Sequence, residues 1–136
     1  MSVSIPEKFD AIIANSEFVW FTTVREDGMP QPTPVWFVRD GDTFIIYSMP
    51  DAQKIKNLRA SSKVALGWAN EDAGSYCVVM GEGVIDETIP PPSQLPAYLA
   101  KYRESIPAIG YTPEAFAQTW SLPIRVTPVH VRGDIE

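Results

Sequence analysis

Basic side chains are concentrated in one short segment of this acidic protein. The 136 residues include 11 Lys and Arg against 17 Asp and Glu, a formal net charge of −6. Four of the basic residues nevertheless lie within residues 51–63, namely Lys54, Lys56, Arg59 and Lys63. Such a local excess indicates a site for one anionic group rather than a general affinity for polyanions. Because the segment follows a strand-like run and begins a predicted helix, backbone N–H groups would assist, and a phosphate is the expected ligand.

Helical geometry limits how two of these lysines could act together. At ~100° per residue, Lys54 and Lys56 lie ~200° apart around a helix, so two mid-helix side chains there could not reach one phosphate. They converge only if Lys54 lies in the irregular turn or in the first helical turn, with the long side chains reaching around. The alternative is a pair of solvated surface lysines.

A row of prolines marks the second predicted strand. Pro30, Pro32 and Pro34 alternate, and since every second N–H of a strand points to the same edge, all three missing donors lie on one side. One interpretation is an edge strand that proline protects against aggregation. The other is the border of a gap in the sheet, where a ligand takes the place of a partner strand. Bulky side chains that would wall such a gap follow directly: Val35, Trp36 and Phe37.

No nucleophile–base pair is visible in the sequence. The single cysteine, Cys77, and the single histidine, His130, both fall in predicted strands, where such residues usually pack. One cysteine excludes an internal disulfide, and one Cys with one His cannot form a zinc site of the usual ligand types. The sequence therefore predicts no metal site and identifies no catalytic residue.

A small α+β fold must position these residues. Apolar patterning predicts strands at 17–24, 31–38, 43–48, 64–69, 76–85 and 122–131. It also predicts helices at 5–15, at the start of 51–63, at 94–104 and at 112–119. Asp-Gly pairs join the first three strands, as in tight antiparallel hairpins. Six strands with interspersed helices predict one small β-barrel domain spanning residues 1–136.

Composition excludes several classes of function. With 45% hydrophobic and 21% charged residues, and no apolar run near the ~20 residues that a membrane span needs, we expect a globular, soluble protein. No apolar signal region is present at the N-terminus, so we expect a cytoplasmic location. An acidic chain with one small basic cluster also argues against a nucleic-acid partner.

Five segments in order resemble a known superfamily. They are Phe21-Thr-Thr-Val-Arg-Glu-Asp-Gly-Met-Pro, Pro34-Val-Trp-Phe, Ile46-Tyr-Ser, Lys54-Ile-Lys-Asn-Leu-Arg and Val64-Ala-Leu. This order resembles the split β-barrel, flavin-binding superfamily of pyridoxamine 5′-phosphate oxidase. More narrowly, the chain is similar to the branch that uses the deazaflavin coenzyme F420, and its tail at 121–133 shares that similarity.

The resemblance implies a six-stranded antiparallel split β-barrel with peripheral helices, which forms a homodimer with two cofactor sites at its interface. The cofactor phosphate would lie at the turn after the third strand and the ring against the second strand. The implied cofactor-binding residues are Pro34, Val35, Trp36, Tyr47, Ser48, Lys54, Lys56 and Asn57. Trp68 or Trp120 of the partner subunit would complete each site. The arginine-rich phosphate grip of true pyridoxamine phosphate oxidases is absent, so the resemblance does not extend to vitamin B6 oxidation.

The resemblance also implies an oxidoreductase that transfers a hydride between coenzyme F420 and a small conjugated substrate, with solvent or Tyr47 as the proton source. The basic residues Arg59 and Lys63 are predicted to guide the polyglutamate tail of the coenzyme. Two alternatives stay open. One is an FMN-binding flavoprotein, and the other is a non-enzymatic carrier of flavin, deazaflavin or haem, for which His130 is the candidate haem ligand.

Overall fold

The computed structural model describes residues 2–136 and has the predicted α+β architecture. Its strands are β1 (Phe18–Val24), β2 (Pro30–Trp36), β3 (Val38–Asp40), β4 (Thr43–Ser48), β5 (Lys63–Ala69), β6 (Tyr76–Ile85) and β7 (Leu122–Asp134). Its α-helices are α1 (Asp10–Ala14), α2 (Gln53–Ala60), α3 (Pro96–Lys101), α4 (Ser105–Ala108) and α5 (Pro113–Thr119). Short 3-10 turns occupy Glu7–Phe9 and Pro92–Gln94.

All strands form one antiparallel sheet in the order β2-β1-β5-β6-β7-β4-β3. The two strands at its ends, β2 and β3, are separated in the chain only by Phe37, so the chain itself closes the curled sheet. Counted as one bent strand, they complete the predicted six-stranded split barrel. The expected continuous strand at 31–38 is wrong in this detail, because β2 pairs with β1 whereas β3 pairs with β4.

Glycine residues permit the two predicted hairpin turns and a bulge in the sheet. Both Asp-Gly turns have their glycine in the left-handed region, with φ of 88° at Gly28 and 62° at Gly41, which residues with a Cβ adopt only at a cost. The β6–β7 ladder shifts register between Met80 and Gly81. This shift marks a β-bulge, where a Cβ at Gly81 would overlap the carbonyl of Thr127.

Two hydrophobic clusters hold the molecule together. The first fills the barrel and includes Phe21, Phe44 and Leu66, with the N-terminal segment closing one end through Phe9 and Ile13. The second lies outside the barrel, where helices α3 to α5 cover β3 and β4. Its buried members are Val38, Ile45, Tyr47, Ile89, Tyr98, Tyr102, Ile106 and Phe116. The helical layer is therefore fixed beside the bend between β2 and β3.

The helical layer departs from the sequence prediction in one place. The helix expected at 94–104 is shorter than predicted, because α3 covers only Pro96–Lys101, and the separate short helix α4 follows beyond the predicted range. The helix expected at 112–119 is confirmed as α5, with Thr112 Oγ1 accepting a hydrogen bond from the N–H of Ala115 at 3.1 Å and Pro113 in the first position.

Across residues 2–136, no helix has the length and apolar character to cross a membrane.

Candidate functional site

An aromatic groove of about 520 Å³ runs between the outer face of β1 and β2 and the helical layer. Its lining residues are Phe18, Trp20, Pro34, Val35, Trp36, Tyr47, Lys54, Tyr98, Ile109, Phe116 and Trp120. This volume lies in the usual range of small-molecule sites, which are mostly apolar with a few placed polar groups. Only one of these residues, Lys54, carries a charge.

Stacked rings build one wall of this aromatic groove. The Trp36 ring lies 5.5 Å from that of Phe116 at an interplanar angle of 12°, and Phe116 lies 4.4 Å from Trp120 at 22°. The stacked rings hold one another in fixed orientations and form an apolar wall of the groove.

The open edge of β2 borders the groove. β2 pairs only with β1, and Pro34, Pro32 and Pro30 stand opposite Trp20, Thr22 and Val24. Since proline has no N–H, the donors of this ladder must come from the intervening residues, and the proline positions face the opposite, unpaired edge. The geometry confirms that β2 is an edge strand and shows that a cavity adjoins it, whereas a ligand in place of a partner strand stays a prediction.

A second, polar cavity of about 430 Å³ continues along the same strand. Its lining residues are Thr23, Arg25, Met29, Pro30, Gln31, Pro32, Thr33, Gln53 and Lys54. Lys54 is thus shared between the aromatic groove and the polar cavity. A ligand that occupies both would have an apolar flat part and a polar part, with the lysine at their junction.

Lys54 lies where helical geometry allows its side chain to reach a phosphate. It is the second residue of α2 and so lies in the first turn. No carboxylate forms an ion pair with it within residues 2–136. Burial lowers its pKa from the ordinary lysine value. An anion placed against this ammonium would offset the cost of desolvating it.

Tyr47 lies in the groove but is a poor proton source. Its hydroxyl donates to the carbonyl of Pro90 at 2.5 Å, and burial raises its pKa to about 12. The hydroxyl proton is therefore tightly held and already engaged in a hydrogen bond. Of the two proton sources that the sequence analysis considers, this favours solvent over Tyr47.

Three of the predicted cofactor-binding residues line neither cavity. Ser48 is buried, and its hydroxyl donates to the carbonyl of Met49 at 2.9 Å. Lys56 is exposed on the outer side of α2. Asn57 donates from Nδ2 to Thr23 Oγ1 at 2.9 Å and to Gln31 Oε1 at 2.8 Å. The amide of Asn57 therefore fastens α2 to β1 and β2 instead of facing the groove.

The structure also places the other candidate binding residues differently from the prediction. Trp68 is buried in the barrel, with its ring 5.4 Å from that of Phe37, so the suggestion that it reaches a partner's site is wrong. Trp120 lines the aromatic groove of its own chain. The remaining basic residues, Arg59 and Lys63, and the haem candidate His130 are exposed and line neither cavity.

Sequence reasoning missed five groove residues: Phe18, Trp20, Tyr98, Ile109 and Phe116. Two of them carried a signal. In β1, Val19 and Phe21 point into the barrel, so the period of two turns Phe18 and Trp20 outward, where they remain 48% and 50% exposed. Large aromatic side chains on the outer face of a strand indicate a binding surface. Tyr98, Ile109 and Phe116, which belong to the helical layer and its connections, gave no such signal.

Known proteins resemble this chain in sequence and in fold. A family model described as pyridoxamine 5′-phosphate oxidase matches residues 5–131. Among solved structures, an F420 reductase is 25% identical, with a TM-score of 0.73 over 94% of this chain and 98% of the other. The general stress protein 26 from Bacillus anthracis is 19% identical, with a TM-score of 0.71 over 93% and 91%.

HupZ from Group A Streptococcus is 15% identical, with a TM-score of 0.66 over 95% of this chain and 93% of the other. Below 25% identity, such similarities bear on the fold alone. No curated protein matches the sequence.

Proposed function

This chain belongs to the pyridoxamine 5′-phosphate oxidase family, and from that premise we propose that it is an oxidoreductase using coenzyme F420 to reduce a small conjugated substrate. The observation that carries the proposal is the unpaired, half-buried ammonium of Lys54 at the junction of an aromatic groove and a polar cavity. The similarity to an F420 reductase at 25% identity supports the choice of coenzyme.

The residues present fit a flat ring that bears a phosphate and a polar extension. The aromatic groove of about 520 Å³ offers a flat ring an apolar lining that includes Trp36, Phe116 and Trp120. Lys54 offers the cation for a phosphate, assisted by the first turn of α2. The polar cavity of about 430 Å³ continues past the lysine, with Arg25 and Gln31 in its lining. That continuation supports a coenzyme with an anionic tail over FMN, which ends at its phosphate.

A bound deazaflavin supplies hydride transfer, and the chain supplies binding, orientation and exclusion of water. Pro34 and Val35 line the groove along the open strand edge. The wall formed by Trp36, Phe116 and Trp120 shields the reacting atoms from water on the side of the helical layer. Tyr47, whose proton stays on its oxygen, is a neutral wall of the groove and not an acid.

A second copy of the chain would complete the site. Beside the groove, the outer sheet face carries small or apolar residues across β1, β5 and β6, since the register aligns Trp20 with Gly67 and Gly67 with Val78, and Arg132 of β7 follows at its border. Phe18 and Trp20 belong to this face and also line the groove. A homodimer through this face would bury both aromatic residues and close the open side of the groove.

Titration of the purified protein with coenzyme F420 and with FMN tests the proposed site. Lys54→Ala is expected to weaken coenzyme affinity about tenfold to a hundredfold, since a hydrogen bond to a charged group contributes about 1.5–3 kcal/mol. Lys56→Ala is the matched control, because it removes an equal charge two residues away on the exposed side of the same helix. If the two variants bind equally well, Lys54 does not hold the phosphate.

Turnover then separates an enzyme from a carrier. Reduced coenzyme F420 is mixed with conjugated enones and quinones, and its reoxidation is followed by absorbance. Tight binding of the coenzyme without turnover of any substrate would contradict the enzymatic function and favour a carrier. Preference for FMN over coenzyme F420 in the titration would contradict the choice of coenzyme and favour a flavoprotein.

A further inference from the structure

The bend between β2 and β3 leaves the backbone N–H and C=O of one residue without a strand partner. Phe37 lies between a strand that pairs with β1 and a strand that pairs with β4, and it belongs to neither ladder. It is only 1% exposed. Its N–H and C=O therefore cannot rely on water, and buried backbone groups left unpaired are costly.

Two consecutive residues near the end of α3 supply the missing partners. The N–H of Phe37 donates to Tyr102 Oη at 2.8 Å, and Lys101 Nζ donates to the carbonyl of Phe37 at 2.9 Å. Tyr102 Oη lies 2.6 Å from the carbonyl of Glu17 and 3.0 Å from that of Phe37. Because the hydroxyl has one proton, the shorter contact assigns it to Glu17, which leaves the carbonyl of Phe37 to Lys101.

The same tyrosine supports the aromatic wall from behind. The Tyr102 ring stacks on Trp36 with centroids 4.4 Å apart and an interplanar angle of 7°. Tyr102 is fully buried and does not line the groove, whereas Trp36 does. Lys101 Nζ lies 3.4 Å from the centroid of the Phe37 ring, so it contacts both the backbone and the side chain at the bend.

We propose that Lys101 and Tyr102 are positioning residues for the ligand groove: by fastening the Phe37 peptide they fix the orientation of the Trp36 ring against which the ligand lies. The identity of that ligand rests on the proposed function above, but the positioning of Trp36 does not. A strand that changes partners has backbone freedom at the change, and Trp36 is adjacent to it. Without the two contacts, the backbone that carries the indole would be less constrained at this point.

Tyr102→Phe tests the hydroxyl while keeping the stacked ring. Near-ultraviolet circular dichroism of the ligand-free protein reports the order of Trp36, and Trp36→Phe identifies the band. We expect Tyr102→Phe to reduce that band and to weaken coenzyme F420 affinity about tenfold, as for one lost buried hydrogen bond. Tyr111→Phe is the matched control: its ring lies 5.1 Å from Trp120 in the same layer, and its hydroxyl makes no hydrogen bond within residues 2–136.

Lys101 is tested by a neutral and a conservative substitution. Lys101→Met removes the donor and is expected to reduce the Trp36 band and the affinity. Lys101→Arg keeps a cationic donor and is expected to restore both at least in part. If Tyr102→Phe does not fold, this pair of lysine variants decides whether the contacts to Phe37 position Trp36.

The outcomes separate the two proposals. Variants that melt at lower temperature but keep the Trp36 band and the affinity, measured well below melting, would show that the two residues only stabilise the fold, and would overturn the inference. If the unsubstituted protein binds neither coenzyme F420 nor FMN, the proposed function fails. The band in the ligand-free protein then still decides whether Lys101 and Tyr102 position Trp36.

Discussion

Two half-buried lysines of this chain, Lys54 and Lys101, have no ion pair within residues 2–136. Burial lowers the pKa of both. What distinguishes them is the surroundings of the ammonium group. Lys54 opens onto the aromatic groove and the polar cavity, whereas Lys101 donates to the carbonyl of Phe37. The first is therefore available to a ligand, and the second is a structural anchor beside the groove.

Lys101 should make stability depend on pH. Burial lowers its pKa to about 8, partly opposed by the nearby carboxylate of Glu17, from 10.5 in the unfolded chain. Arg39, the nearest cation of β3, is directed to Asp10 and Asp42. Between the two pKa values the unfolded state binds the proton that the native state has released, so the free energy of unfolding rises with pH.

The measurement is the difference in the free energy of unfolding between the unsubstituted protein and Lys101→Met, obtained by urea denaturation. This difference is expected to increase from pH 8 to pH 10. Other titrating groups are common to both proteins and cancel. Between pH 6 and pH 7 the lysine is protonated in both states, so the difference should be constant there and serves as the control. A difference that stays constant or falls above pH 8 would contradict the lowered pKa of Lys101 in the folded protein.

At the scale of elements, one glycine is required for the close approach of two neighbouring strands. Gly67 in β5 and Gly81 in β6 look alike in sequence, since each interrupts an apolar strand. The structure separates them: a Cβ at Gly67 would meet nothing within 4 Å, whereas one at Gly81 would overlap the backbone of Thr127 at the bulge. Only the second is required for the close approach of β6 and β7.

Gly81→Ala is therefore expected to lower the free energy of unfolding by about 1–3 kcal/mol, the usual cost of forcing atoms into a packed site. Gly67→Ala is the matched control; because Gly67 lies in the proposed dimer face, both variants are compared in the Trp20→Glu background, where Gly67→Ala should change the free energy of unfolding by less than about 0.5 kcal/mol. Urea denaturation of both variants provides the comparison. Equal effects would mean that the bulge does not depend on the absence of a side chain at residue 81.

At the scale of the whole molecule, a barrel, a helical layer and an uncovered sheet face meet at one groove. The barrel presents the open edge of β2, and the layer presents Phe116 and Trp120. The uncovered face presents Phe18 and Trp20, whose rings are half exposed. An apolar face that leads directly into a binding groove is the reason to propose the homodimer.

Trp20→Glu should convert the proposed dimer into a monomer, because a carboxylate would have to be desolvated at the centre of the apolar face. Light scattering coupled to size-exclusion chromatography measures the mass. Val84→Glu is the control: Val84 is equally exposed but lies about 20 Å further along β6 from Val78, at ~3.3 Å per residue. The proposal fails if the unsubstituted protein is itself a monomer, or if both variants keep the dimer mass.

The sequence by itself determined the elements and their chemistry. The period of two identified nearly every strand, the Asp-Gly pairs identified both hairpins, and Thr112-Pro113 identified the start of α5. The proline row identified the open edge, and the basic segment identified the neighbourhood of Lys54. Each of these features is local, because side-chain alternation, turn conformation and capping depend on residues only a few positions apart.

Only the tertiary structure decided which side chains share a surface. It separated Lys54 from Lys56, engaged Asn57 with Thr23, 34 residues away, and bent the chain at Phe37. It also placed Tyr102 behind Trp36, a pairing with no sequence pattern to announce it. The physical reason is that a side chain's burial, partners and pKa are set by atoms from distant segments, and those segments meet only when the sheet closes and the helical layer packs against it.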